Sequence, residues 1–326
     1  MVKERERTYD IMKGIGILSV LIGHIWYVKD TMPFIIICSF HMPLFFIVAG
    51  CFSKSYEESK ECLGQTILKY FKRLYLPQVV ISLLLVFWFV IKTINKTKYS
   101  NRIITTLLSP IWASTIPLHT PWGDVSVIVW FLMALLCAKV LFLLLSKWNY
   151  WGGLISLMLS VGAYLISAYK PLIPWCLLQG LIALPFLFIG WWWRRKLIPE
   201  WSGILLVPVW ICAILFSHMD MYSFTFECFP LDMIGAVGGT WVIYQLSKAI
   251  SRYTRYTNLV LAFLGVCSLS IYCWHSFDIT GNVFHQLFCW IGVPDNDVLD
   301  YVLRYSLTIA IGIAATKLPI LKKVFA

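Results

Sequence analysis

The sequence predicts an all-α fold, a polytopic membrane helical bundle of about ten transmembrane helices forming one domain over residues 1–326. Three observations carry that reading. The chain is 60% hydrophobic and 13% charged, with a mean hydropathy of +0.77, more apolar surface than a soluble domain needs. Its apolar residues gather in runs close to the roughly 20 residues that cross a bilayer core as a helix. Its basic residues concentrate on alternate connections between those runs, as the positive-inside rule requires of a multi-pass protein.

The first two spans, expected at 11–28 and 34–53, are joined by a short turn. Residues 54–74 read as an amphipathic helix on the inner side that leads into a third span at 75–93. Residues 94–124 form the longest outer loop. Its middle, ITTLLSPIWASTI, is apolar enough to lie on or dip into the membrane, and its end gathers His119, Pro121, Trp122, Gly123 and Asp124. Further spans are expected at 125–145, 153–169 and 175–193, with aromatic clusters at 148–151 and 191–193 flanking span ends as interfacial belts do. The last four are expected at 203–218, 231–250, 259–276 and 301–320, with an irregular outer loop at 277–300. No low-complexity tract or internal repeat stands out, which weakens a transporter reading, because many transporters are built from repeats. The first apolar run lacks a small-residue cleavage site and a second run follows at once, so no cleavable signal peptide is expected.

An even number of spans puts both termini on one side. With the N-terminus cytoplasmic, the inner segments hold 18 of the 27 lysines and arginines, while Lys29, Lys92, Lys96, Lys98, Arg102, Lys170 and Arg304 fall outside. Half of the 16 acids also fall outside, among them Asp30, Asp124, Asp220, Asp278, Asp295 and Asp300. The net charge of +11 therefore reads as topology, and no nucleic-acid partner is expected, since no basic tail or zinc spacing is present. The ten cysteines lie mostly within spans and read as buried apolar residues rather than a disulfide framework, with Cys228 and Cys289 the pair that shares the outer side.

Ionisable groups inside a span are expensive and usually face a cavity or pathway. Lys13 and His24 are eleven residues apart, so they share one helix face at roughly 16 Å separation, with Asp10 one turn before Lys13. His24 lies five residues before the turn joining the first two spans and His41 eight after it, so their depths are similar and they are expected to face each other. Ser268, Tyr272 and His275 fall at i, i+4 and i+7 on one face, a polar stripe that lines a cavity or fixes helix packing. Lys69 and Arg73 share a face beside Lys72. His119, His218 and His285 read as ordinary surface or loop histidines. No two histidines show metal-ligand spacing, so no metal site is expected, and there is neither a G-x-S-x-G elbow nor a C-x-x-C pair.

Five motifs run in order along the chain. Asp10, Lys13 and Gly14 make D-x-x-K-G, followed by His24; Phe40 to Gly50 read F-H-M-P-L-F-F-I-V-A-G; Lys72 to Pro77 read K-R-L-Y-L-P. Trp130 to Leu132 read W-F-L, and Ser268 to His275 read S-L-S-I-Y-C-W-H. In these pieces and their order the chain resembles the membrane acyltransferase type 3 superfamily, in particular its branch of sugar O-acetyltransferases that includes fucose 4-O-acetylase-like proteins. The resemblance covers essentially the whole chain. It departs at Lys13, where the family more often has arginine; lysine keeps the charge without the bidentate fork.

The resemblance implies a single membrane acyltransferase domain, an O-acetyltransferase that moves an acetyl group from acetyl-CoA to a carbohydrate hydroxyl, often on an exported or cell-surface glycan of a bacterial envelope. It implies His24 as the catalytic histidine and Lys13 as its cationic partner. A neutral imidazole can accept the hydroxyl proton in the transition state, or can carry the acyl group itself. His41 is a second catalytic candidate or a structural hydrogen-bonding group. Lys13, Lys69, Lys72 and Arg73 are candidates for the CoA phosphates, with a purely topological role as the alternative for the last three. Trp122, Asp124, Trp130, Tyr272 and His275 are candidates for acceptor binding, with ordinary interfacial placement as the alternative for the first three and helix packing for the last two. No permanently bound cofactor is expected; acetyl-CoA, a glycan and membrane lipid are the expected partners. The competing readings are a transporter or flippase using Lys13, His24, His41 and His275 as a pathway, and a bundle that has lost transfer activity.

Overall fold

The computed structural model describes residues 2–25, 31–95, 99–293 and 297–325. Lys29, Asp30, Lys96, Lys98 and Asp295, assigned above to outer segments, lie outside the described residues. In chain order the helices are α1 (Val2–Gly23), α2 (Met32–Cys38), α3 (His41–Cys51), α4 (Leu63–Asn95) and α5 (Ser100–Trp112). They continue with α6 (Trp130–Leu145), α7 (Tyr150–Ser167), α8 (Leu177–Arg194), α9 (Val207–Phe216) and α10 (Phe229–Tyr253). The last are α11 (Tyr256–Val266), α12 (Ser268–Gly281), α13 (Val283–Trp290), α14 (Asp297–Lys317) and α15 (Pro319–Phe325). Two antiparallel hairpins interrupt them: β1 (Leu118–Thr120) with β2 (Gly123–Val125), and β3 (Met219–Asp220) with β4 (Thr225–Phe226).

Six helical segments among the described residues are long and apolar enough to cross a membrane: Met32–Cys51, Leu63–Thr93, Trp130–Trp148, Tyr150–Ser167, Leu177–Arg194 and Asp297–Lys317. The pair α11–α12, bent by 66°, makes a seventh if it counts as one span. The expected ten are not reached on these terms, for physical reasons. α1 carries Glu6, Arg7, Asp10 and Lys13 in its first half. α10 mixes its apolar residues with Asp232, Gly238, Gly239, Thr240 and a basic last turn. Glu200–Phe216 is apolar but short. Two boundaries also differ from expectation. Residues 63–74 of the expected amphipathic helix and the third span are one helix, α4, running through Pro77, while residues 54–62 form turns and a short 3₁₀ stretch. The span expected at 259–276 is broken between α11 and α12.

The chain divides into two compact units. The first comprises residues 1–66, 137–169 and 178–268. Its helices meet through glycines, as expected where lipid gives no hydrophobic drive and close backbone approach must supply the packing. A Cβ on Gly14 of α1 would overlap the Leu261 carbonyl of α11, and one on Gly265 of α11 would overlap the Asp10 carbonyl of α1. The same reciprocal contact joins α3 to α8: Gly50 sits on Leu187 and Gly190 on Ile47. The core between these helices holds Ile11, Met12, Leu44, Phe46, Ile47 and Phe188.

The second unit comprises residues 67–136, 170–177 and 269–326. Here buried polar groups complete the start of α6, whose first N–H groups have no partner within the helix. The Val129 N–H donates to Gln78 Oε1 of α4 (2.9 Å), and the Phe131 N–H donates to the Tyr272 hydroxyl of α12 (3.3 Å). Gln78 Nε2 also donates to Ser109 Oγ of α5 (3.2 Å). Asp278, fully buried, accepts from the Phe284 N–H and from Arg304 Nε, both at 2.8 Å. Arg304 continues to Asp300 (3.3 Å), and Asp300 to His285 Nδ1 (3.0 Å).

Candidate active site

Within the first unit three chain segments bring titratable groups together. α1 closes its last turn with the His24 N–H on the Leu21 carbonyl, which leaves His24 exposed at the helix end. The sequence between α2 and α3 cannot continue as one helix. Pro43 lacks the N–H that would bond the Ser39 carbonyl, and its ring would collide with that carbonyl. Phe40 accordingly takes φ −135° and ψ −28°, and a new helix starts at His41. Trp210 of α9 donates its indole N–H to Ser39 Oγ (2.8 Å) and holds the break in place.

The break gives His41 an orientation. Its Nδ1 lies 2.7 Å from the Ile37 carbonyl oxygen, the group that the His41 backbone N–H would bond in an unbroken helix. A carbonyl only accepts, so Nδ1 carries the proton and Nε2 of the neutral ring is left as the basic atom. His24 and His41 lie close enough for their charges to interact, as the similar depths predict, and each also interacts electrostatically with Asp220. Asp220 arrives on β3, which packs on α2. Its carboxylate is fixed locally: Oδ1 accepts from the Tyr222 N–H (2.9 Å) and Oδ2 from the Ser223 hydroxyl (2.7 Å). A base, a second imidazole and a carboxylate that favours imidazolium are the parts needed for proton transfer from a hydroxyl.

Lys13 lies midway along α1. Its ammonium pairs with Asp10 Oδ1 at 2.7 Å, and both side chains are partly exposed, 28% and 30%. In the second unit Lys69, Lys72 and Arg73 are all exposed on α4. Trp122 sits exposed at the tip of the β1–β2 hairpin, and Asp124 on β2 pairs with His119 Nδ1 at 2.6 Å. Trp130 opens α6 with its ring edge-on to Phe131. Tyr272 and His275 are buried; Tyr272 receives the Phe131 N–H, and the His275 ring meets Tyr305 edge to face at 5.5 Å. Among the described residues no group of three or more His, Cys, Asp or Glu is placed to hold a metal ion.

A family model of an acyltransferase domain matches residues 7–316. The chain belongs to the membrane acyltransferase type 3 family. No curated protein and no solved structure matches it. Together with its apolar helices, membership makes this acyltransferase a multi-pass membrane protein.

Sequence reasoning missed one member of the acyltransferase's histidine cluster. Asp220 was placed only as an outer-segment acid, and nothing local marks it, because its partners are some 180 and 196 positions away in the chain. His218, read as an ordinary histidine, stacks on Phe34 of α2 (5.9 Å) and interacts electrostatically with the buried Asp232. Its signal, a histidine two residues from Asp220 in a short hairpin, is visible only once β3 is seen against α2.

Proposed function

We propose that this acyltransferase moves an acetyl group from acetyl-CoA to a carbohydrate hydroxyl, using His24 and His41 with Asp220. One observation supports this reading above the rest: His41 Nδ1 lies 2.7 Å from the Ile37 carbonyl oxygen, which leaves Nε2 as the basic atom, within electrostatic reach of His24 and Asp220. In direct transfer an imidazole takes the hydroxyl proton as the sugar oxygen attacks the thioester carbonyl. The C–S bond breaks, and CoA leaves as a thiolate that collects the proton. In a relay, one imidazole nitrogen first takes the acetyl group and releases CoA; the second imidazole then deprotonates the attacking hydroxyl. Two histidines suit either route. Lys13, Lys69, Lys72 and Arg73 are the groups assigned to the CoA phosphates, and Trp122, Asp124, Trp130, Tyr272 and His275 those assigned to the acceptor. The setting is the inner membrane of a bacterial envelope, with both termini cytoplasmic and a cell-surface or exported glycan as product.

The test is transfer of labelled acetyl from acetyl-CoA to a carbohydrate by membranes carrying the protein. His24→Ala and His41→Ala should each lower the rate by about 10²–10⁴-fold, the usual contribution of a positioned base. Asp220→Asn should lower it less, because it removes a charge and keeps the hairpin. Full activity in both histidine variants would sink the assignment.

A further inference from the structure

Two cavities in the first unit share a wall. The smaller, about 300 Å³, is lined by apolar groups, among them Leu157 of α7, Phe186 of α8 and Met233, Val237 and Trp241 of α10. The larger, about 940 Å³, is polar and basic, with Lys196, Gln245, Lys248 and Arg252 beside Thr8 and Tyr244. Trp193, Ile198, Pro199 and Glu200 line both. Each volume falls in the range of small-molecule sites.

The charges in the larger cavity do not cancel. Glu200 is its one carboxylate, and it is committed to Lys248, with Gln245 Nε2 also donating to it at 3.4 Å. Lys196 and Arg252 have no carboxylate partner among the described residues. Lys196 is held in the left-handed region at φ 58°, where its N–H bonds the Trp193 carbonyl (3.0 Å) at the end of α8. The smaller cavity opens at an apolar surface: its lining residues Leu157 and Ile234 are each about half exposed, and Ile204 and Leu205 are exposed as well. A free anion satisfies the basic cleft and leaves the apolar cavity unexplained. An amphiphile with a phosphate head satisfies both.

We propose that the paired cavities bind an anionic glycerophospholipid, with its phosphate on Lys196 and Arg252 and part of one acyl chain in the apolar cavity. Binding to the folded state raises the unfolding temperature with ligand concentration. The purified protein, held in neutral detergent, is titrated with phosphatidylglycerol, phosphatidylcholine or coenzyme A while thermal unfolding is followed. Phosphatidylglycerol should raise the midpoint and phosphatidylcholine should not. In Lys196→Gln/Arg252→Gln the half-saturating concentration should rise roughly 30-fold, from a factor of about five per cation near a lipid phosphate. Val237→Phe, which fills the apolar cavity and leaves the charges alone, should also weaken the response. Should the double variant fail to fold, Lys196→Arg/Arg252→Lys keeps both charges and must keep the response. Equal shifts from the two lipids, or an unaltered response in the variants, would overturn the proposal. So would a shift with coenzyme A that the double variant loses, which would assign the cleft to a soluble phosphate ester.

Discussion

At His41 a side chain takes over a hydrogen bond that the backbone gave up. Pro43 removes the donor for Ser39, the helix breaks, and the imidazole reaches back to Ile37. The histidine and the proline were both legible in F-H-M-P; the tautomer was not, because it depends on where the break falls. Outside the spans, Glu58 shows a related local device. Partial burial would raise its carboxyl, but the Ser55 N–H on Oε2 (2.8 Å) and the Arg195 guanidinium on Oε1 hold it below the usual carboxylate range. The Ser55 hydroxyl in turn accepts from the Glu58 N–H (3.4 Å), the reciprocal pattern of a capping box. A folded-state pKa below the unfolded one stabilises above the unfolded value, near 4.3, and that stability is lost as pH falls through the folded value. The melting temperature of the wild type should therefore exceed that of Glu58→Gln at pH 6, and the gap should close below about pH 4. A gap that widens in acid would contradict the pairing.

At the scale of elements, the D-x-x-K-G motif does two jobs on α1. Asp10 and Lys13 pair one turn apart, while Gly14 and the Asp10 carbonyl form the surface on which α11 lies. The sequence showed the glycine and Asp10 one turn before Lys13, yet not the partner helix, because Gly265 is some 250 residues distant. Replacing Gly265 with Leu forces two backbones apart and should destabilise by at least about 1–3 kcal/mol, the cost of overpacking. Gly64, at the start of α4, has open space where a Cβ would go. Gly64→Ala should be neutral or stabilising by about 0.4–1 kcal/mol. Thermal unfolding of the two variants side by side checks both. Comparable losses would show that the α1–α11 contact is not specially tight.

For the whole molecule, the order of apolar runs and the family were both legible, because bilayer thickness and motif order act on contiguous sequence. The number of spans was less so. Charged residues at the start of α1 and small polar ones in α10 lower their hydropathy, and the 66° bend after Val266 leaves no trace in composition. The charge bias still makes a testable statement about sidedness. Cys228 and Cys289, the pair that shares the outer side, are exposed free thiols, and Cys62 precedes α4. In sealed vesicles of known orientation, a membrane-impermeant thiol reagent should label Cys228 and Cys289 from the outer side and Cys62 only from the inner side. Labelling of Cys62 together with Cys289 from one side would refute the orientation.

The partner that orients His41 is a main-chain oxygen, a group that all twenty amino acids supply. Substitution at position 37 therefore has no route to deleting the acceptor, and drift there is free to follow packing alone. The vulnerable point lies at position 43, where a residue with an N–H would let the helix close and reclaim the carbonyl. The imidazole's proton placement is thus encoded six residues away from its hydrogen-bond partner, in the one residue type defined by the donor it lacks.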